Sequence, residues 1–559
     1  MVNFNSRRLR DWLILANGLV LAVVVNQLAS LYFFRLDLTE EKRYTIKPQT
    51  RELLKSLDDV VYVDVYLEED VNAGFDRLRK AIFETLEEFS VYSGGKVQYR
   101  YSNPSGALSQ KARSEFITDL MRRGIAPLNV IDTRDGARSE KLVLPGAILN
   151  YGGQETGVML LKENMSAGAQ EKLNQAIEQL EFELANAIQR LSGQGRQTVG
   201  WAKGHGELDS LSAASLQAAL SERYTLRKVR IEPGALDKIR TLIIAKPVRG
   251  FSEKEKWTID QFLLAGGRIL LLMDKLEASA DSASRDDYFA FPYELNLDDQ
   301  LFKYGVRMNG DLVQDRNALK VPVVTSQVGG KPQITPLDWP FYPLINHYGE
   351  HPATRNLDAV LLRFASTIDT VRATGIRKTV LLQTGNQSRK LAAPVKVSVN
   401  DLRNMPPDEK FGQPSLPLAV LLEGSFSSLY KNRFRPEGTE GLAFRESGVP
   451  AKLLVVADGD IARNEIGNSG KPQMLGLDSY TRYTFANQDL LLNMVAYLCD
   501  ESGLITTRSR EVMIRPLDQS KVRDSKLFWQ IINVAAPLLL LLVFGLLKTW
   551  WRRVRYARF

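Results

Sequence analysis

Gly204-His205-Gly206-Glu207 places an imidazole and a carboxylate in a turn between glycines. A histidine and a glutamate at this spacing can act as general acid and base. The glycines let the backbone turn tightly and come close to a ligand. The turn follows the apolar run TVGWAK, so it lies beyond the carboxyl end of a strand, where doubly wound folds bind their ligands. A second constellation is Asp458-Gly459-Asp460, which closes the apolar run AKLLVVADGD. Two oxygen ligands at that spacing suit a hard cation, although acidic residues at strand ends are also ordinary turn formers. Asp274, at the end of RILLLMD, admits the same two readings.

Several chemistries are absent from the chain. There is no G-x-S-x-G nucleophile elbow, and Cys499 falls late in a helical pattern. No G-x-x-x-x-G-K-[ST] phosphate cradle occurs, and Gly329-Gly330-Lys331 lacks its spacing. One cysteine and three histidines (His205, His347, His351) leave little material for a soft-metal site and none for an intramolecular disulfide. No motif calls for a cofactor, and no catalytic residue or metal ligand is assigned. The G-H-G-E turn therefore reads first as a structural turn or partner contact, next as a ligand site, and last as a catalytic pair. The aromatic run Trp339-Pro340-Phe341-Tyr342-Pro343 reads as packed against its own domain before it reads as an exposed patch.

The elements that position these residues follow from hydrophobic periodicity. Val60–Leu67 reads as a strand, and Phe75, Leu78, Ile82, Leu86 and Phe89 mark one helix face. A strand over KVQYRYSNP, a helix over about 110–123 and strands near 128–134, 139–151 and 155–162 complete a first unit close to a thioredoxin-like arrangement. A long helix carrying Leu173, Ile177, Leu180, Leu184, Ile188 and Leu191 ends at SGQGRQ, where a domain boundary is expected. The second unit opens with TVGWAK, followed by a helix over 211–223 and the strands YTLRKVRI, TLIIAKP and RILLLMD. Ser252 and Glu255 form a capping box for a helix reaching Leu264. Apolar strands alternating with helices predict a parallel sheet buried on both faces, a doubly wound α/β domain. AKLLVVADGD and a helix over 488–498 complete it after an insertion over about 277–450, which includes a helix at Leu297–Tyr304.

Two apolar segments bracket this α/β region. Trp12–Phe34 would rise about 34 Å as a helix, enough for a hydrocarbon core of about 30 Å. Leu527–Leu547 is the second span, with Trp529, Trp550 and Trp551 near its edges. Arg7, Arg8 and Arg10 precede the first; Lys548, Arg552, Arg553, Arg555 and Arg558 follow the second. The positive-inside rule puts both short tails in the cytoplasm and everything between outside it. Much of the formal charge of +8 sits at these flanks, so it reads as contact with membrane lipid and not with nucleic acid. The expected organisation is a tail over 1–11, a span over 12–34, and a first domain over 35–193. A second domain over 194–520, a span over 527–547 and a basic tail over 548–559 follow.

RLDLTEEKRYTIKPQT, GWAKGHGE, LIIAKPVRGFSEKEKWTIDQFLLAGGRILLLMD, LFKYGVRMNGDLVQD, LLVVADGDIARN and FANQDLLLNMVAYL occur in this order. With them the chain resembles the GldG family of gliding-motility-associated ABC transporter components of Bacteroidetes-type bacteria. The resemblance implies an accessory subunit working with a multispanning ABC-2-type permease and a separate cytoplasmic ATPase. It also implies that the second domain looks like the glutamine-amidotransferase-like fold of intraflagellar-transport proteins, without catalysis. The expectation is a non-enzymatic, two-pass inner-membrane subunit with a periplasmic bulk that meets cargo or another envelope protein. A membrane-tethered receptor for a solute or polymer is the alternative, followed by an envelope hydrolase using His205 and Glu207.

Overall fold

The structure is a computed structural model that describes residues 7–31, 45–67, 71–102, 110–132, 139–161, 168–192, 197–284, 288–328, 331–404, 407–467, 469–509 and 525–556. It contains two compact units, 1–510 and 511–559. The first opens with helix α1 (Arg7–Leu31), whose described side chains, 12–27, are all exposed. The short helix α2 (Pro48–Lys55) begins on Pro48, whose fixed φ suits a first helical turn.

A four-stranded sheet forms the core of the first α/β half. Strand β1 (Val61–Tyr66), helix α3 (Ala73–Tyr92) and strand β2 (Val97–Ser102) make a parallel crossover, with Val61 opposite Val97. Asn72 caps α3, its Oδ1 accepting the Gly74 and Phe75 N–H groups, and Leu78, Ile82, Leu86 and Phe89 turn fully inward. Helix α4 (Gln110–Arg122) leads to a separate hairpin, β3 (Leu128–Asp132) and β4 (Ser139–Val143). Strands β5 (Gly146–Tyr151) and β6 (Gln154–Met159) return to the main sheet in the order β2-β1-β5-β6. The single strand expected over 139–151 is thus two strands. Pro145, which has no N–H to give a ladder, separates them.

Helix α5 (Ala169–Leu191) joins the halves. Leu173, Leu180, Leu184 and Ile188 pack in the core of the first, while Phe182 enters the core of the second. The boundary expected at SGQGRQ falls mainly on 193–196, outside the described residues.

The second half is an eight-stranded sheet. Strands β7 (Thr198–Ala202), β8 (Thr225–Val229), β9 (Thr241–Ala245) and β10 (Arg268–Leu272) are parallel. Between them run helices α6 (Ala214–Arg223) and α7 (Glu253–Leu264), and α8 (Asp298–Tyr304) follows. The sheet continues through β11 (His347–Tyr348), β12 (Ile376–Gln383), β13 (Pro417–Ser427) and β14 (Ser447–Val456), in the order β11-β12-β13-β14-β10-β9-β7-β8. Strand β14 is parallel to β10, and β11–β13 add on antiparallel. Part of the segment expected as an insertion therefore extends the sheet itself.

Each central strand is buried on both faces. Leu242 and Ile244 meet α7 through Ile259 and Leu263; Ile243 and Ala245 face α6 and helix α9 (Asn487–Cys499). This is the doubly covered geometry that near-continuous apolar strands predict. The rest of 277–450 forms smaller sheets, including a long hairpin of 318–328 with 331–345. Trp339, Phe341 and Tyr342 of that hairpin are buried, and the Trp339 ring lies 4.3 Å from Tyr342 and 5.5 Å from Phe364. They are a core, not a patch. Gly329 and Gly330 lie outside the described residues.

The second unit is described over the helix α10 (Lys526–Tyr556), fully exposed along its apolar length. Among the described residues it is the one helix long and apolar enough to cross a membrane; the apolar stretch of α1, Trp12–Gln27, is shorter. Residues 32–34 of the expected first span and 557–559 of the basic tail lie outside the described residues.

Candidate functional site

The parallel strands run in the order β8-β7-β9-β10-β14, so the chain leaves β7 to one side and later returns to its other side. The crevice beyond the carboxyl ends of β7 and β9 is the topological switch point, the usual ligand end of such sheets. Gly204-His205-Gly206-Glu207 occupies it. Gly204 has φ +132° and Gly206 φ +76°, both in the region that favours glycine, and a Cβ on Gly206 would meet Val248 Cγ2 at 2.5 Å. The His205 carbonyl accepts the Val248 and Arg249 N–H groups at 2.8 and 2.9 Å, binding the turn to the strap after β9.

His205 is closed on every side. Its ring stacks on Phe251 with centroids 3.8 Å apart and planes 14° from parallel. Nδ1 lies 3.3 Å from Glu207 Oε1 and Nε2 lies 3.1 Å from Glu255 Oε1. The His205 N–H donates to Glu207 Oε2 at 2.7 Å. Ser252 and Glu255 form the expected capping box, in which Glu255 Oε2 accepts from Ser252. Glu255 thus spends one oxygen on the helix cap and the other on His205. Burial opposes the charged imidazole, but the two glutamates outweigh it and raise the His205 pKa; both glutamates fall below the usual carboxylate range despite their own burial. With the histidine 96% buried and both nitrogens engaged, the group works as a latch between β7, the strap and α7.

Asp458 and Asp460 meet in a second buried cluster at the same sheet edge. Lys246, the residue after β9, has φ +56° and sends its Nζ to Asp274 Oδ2 at 2.8 Å and Asp460 Oδ2 at 2.6 Å. Asp458 caps the loop after β14: Oδ1 accepts the Asp460 and Ile461 N–H groups, and Oδ2 accepts the Arg363 N–H at 2.7 Å. Burial, then repulsion from Asp274 and Asp460, pushes Asp458 well above the carboxylate range. Asp460 is held low by Lys246 and Arg463 despite its burial. The place that a divalent cation would take between Asp274 and Asp460 is taken by the Lys246 ammonium. Among the described residues no group of three or more His, Cys, Asp or Glu is placed to hold a metal ion.

The two candidate constellations are neighbours, because Lys246 and Val248 belong to one strap. Reading the sequence missed Lys246 and missed Glu255 as a histidine partner. The signals were a lysine ending the apolar strand TLIIAK and a capping glutamate with a second oxygen to give.

Comparison with known proteins bears on this architecture. A family model described as "ABC-type uncharacterized transport system", for auxiliary components, matches residues 196–494. A model of a domain of unknown function matches residues 40–150. An uncharacterized protein of Borreliella burgdorferi is 21% identical over 537 residues, spanning 93% of each chain. The solved mmIFT52 N-terminal domain aligns with 54% of this chain and 96% of its own, at 15% identity and a TM-score of 0.31. Since the first model covers more than half of the sequence, the chain belongs to the auxiliary component family of the ABC-type uncharacterized transport system.

Proposed function

We propose that this transporter-associated protein is a non-enzymatic subunit of an ABC transporter complex, anchored at both ends in a bacterial inner membrane. Its α/β bulk lies in the periplasm, and its helices pack beside a multispanning ABC-2-type permease served by a cytoplasmic ATPase. Gliding motility or envelope export is the process served. Family membership carries this reading. It is supported by the exposed apolar length of α10 and by arginines and lysines at both chain ends, which favour cytoplasmic tails. The closed geometry of His205, with both ring nitrogens held by carboxylates, supports a structural turn over hydrolysis. We read the first half as thioredoxin-like, because its sheet runs β2-β1-β5-β6 with one parallel crossover. We read the second as glutamine-amidotransferase-like, on its doubly wound strand order and the missing nucleophile elbow.

The test is an affinity pull-down of the full-length chain in mild detergent, with mass spectrometry of its companions. Recovery of a multispanning permease and its ATPase is the expected result. Recovery of the chain alone at several detergent strengths would remove the assembly reading.

A further inference from the structure

Chain order puts residues 45–57 after the first apolar helix, α1, and residues 500–509 before the second, α10. Both stretches fasten to adjacent residues of α5, the helix that the two α/β halves share. Glu181, only 3% exposed, accepts two bonds through Oε1: from the Lys47 N–H at 2.6 Å and from Thr50 Oγ1 at 2.7 Å. Those donors sit at the start of α2, so the carboxylate holds that helix in place. Its neighbour Phe182 takes the other stretch, with the Arg508 guanidinium 5.2 Å from its ring centroid. Arg508 is buried, and the charges of Glu183 on α5 and Asp489 on α9 offset part of the cost of that burial.

The C-terminal stretch is itself a wedge. Asp500 closes its turn, with Oδ1 accepting the Gly503 N–H and Oδ2 the Ile505 N–H. In the 3-10 helix that follows, Leu504–Ser509, consecutive side chains part ways: Leu504 enters the core of the first half and Ile505 that of the second.

The two stretches also meet directly. Gly503 has φ +74°, and a Cβ there would lie 3.7 Å from Cγ and Nε2 of Gln49 on α2. Beside them lies a cleft of about 540 Å³, lined in part by Phe182, Leu504 and Ile505. That void leaves the wedge room to shift, which a close-packed interior would deny.

We propose that α5 and the two stretches form a coupling joint, in which release of either stretch from α5 loosens the other. The coupling is reciprocal, because a free energy that links two contacts acts on both alike. Its use in transport rests on the assembly reading, in which motion of a permease reaches this chain through its two apolar helices. The joint itself is a property of the chain alone.

The experiment is hydrogen exchange read by mass spectrometry on the full-length chain in mild detergent. Thr50→Val removes the hydroxyl that Glu181 accepts, and Arg508→Met removes the guanidinium while keeping an unbranched stem. Thr50→Val is expected to speed exchange over 503–509 about fivefold or more, the size of one lost hydrogen bond. Arg508→Met is expected to do the same over 48–55. The central strands β9 and β10 should keep their wild-type rates, because opening at the joint is local. Faster exchange confined to the mutated stretch, or none at all, means independent packing and overturns the proposal. A rise that reaches β9 and β10 in both variants overturns it too, since the stretches then open only with the whole fold; if one variant alone behaves this way, the other decides. No permease is in the sample, so a pull-down that recovers none sinks the assembly reading and leaves this result standing.

Discussion

His205 holds both ring nitrogens against carboxylates, so its protonation is linked to folding. Its folded pKa is raised above the ordinary value of about 6.5. The stability it contributes is therefore complete below that value and is lost as pH rises through the folded pKa. Wild type should be more stable than His205→Gln at about pH 6, and the difference should shrink as pH rises through the folded pKa, read from denaturant midpoints. Glu207 and Glu255, both lowered, give the opposite slope: their contribution is present above the unfolded carboxylate range and lost as pH falls. Gly206→Ala should cost about 1–3 kcal/mol, since it forces a side chain into a left-handed conformation. Thermal melting checks it; an unchanged midpoint would mean that the turn is slack. At this scale the sequence disclosed what is local. The two glycines and the Ser252–Glu255 box need only neighbouring residues, whereas the contact of His205 with Glu255 arises when α7 packs beside the β7 turn.

The elements show the same division. Strands β7, β9, β10 and β14 were legible as apolar runs because both their faces are covered. Strands β12 and β13 were not placed in the sheet, because their antiparallel addition rests on distant partners such as Leu421 opposite Leu454. The break at Pro145 marks the reverse case, a local signal that the apolar pattern over 139–151 concealed. Lys246 ties the ends of β9, β10 and β14 together through Asp274 and Asp460. Lys246→Met should therefore destabilise the protein by about 3–5 kcal/mol, because it leaves buried carboxylates without their counter-charge. Adding Asp274→Asn to Lys246→Met should recover part of that loss, measured by urea unfolding. Additive losses would mean that the groups do not act as one cluster.

At the scale of the whole molecule, the C-terminal apolar helix belongs to a unit separate from the α/β region. Every described large apolar side chain of α10 is exposed, as a lipid- or helix-facing surface requires. Removing residues 526–559 should lower membrane retention in fractionation while the α/β region stays folded; unchanged retention would place the main anchor elsewhere. The apolar length and basic flank of α10 were plain in the sequence, since a span is written in consecutive residues. What lies against it was not, because partner choice depends on another chain. The most direct measurement is site-specific photo-crosslinking in cells from positions around α10, such as Leu539, Leu542 and Phe544. The account predicts adducts from one helix face with a multispanning permease. Adducts with lipid alone, or none with a permease from any face, would contradict it.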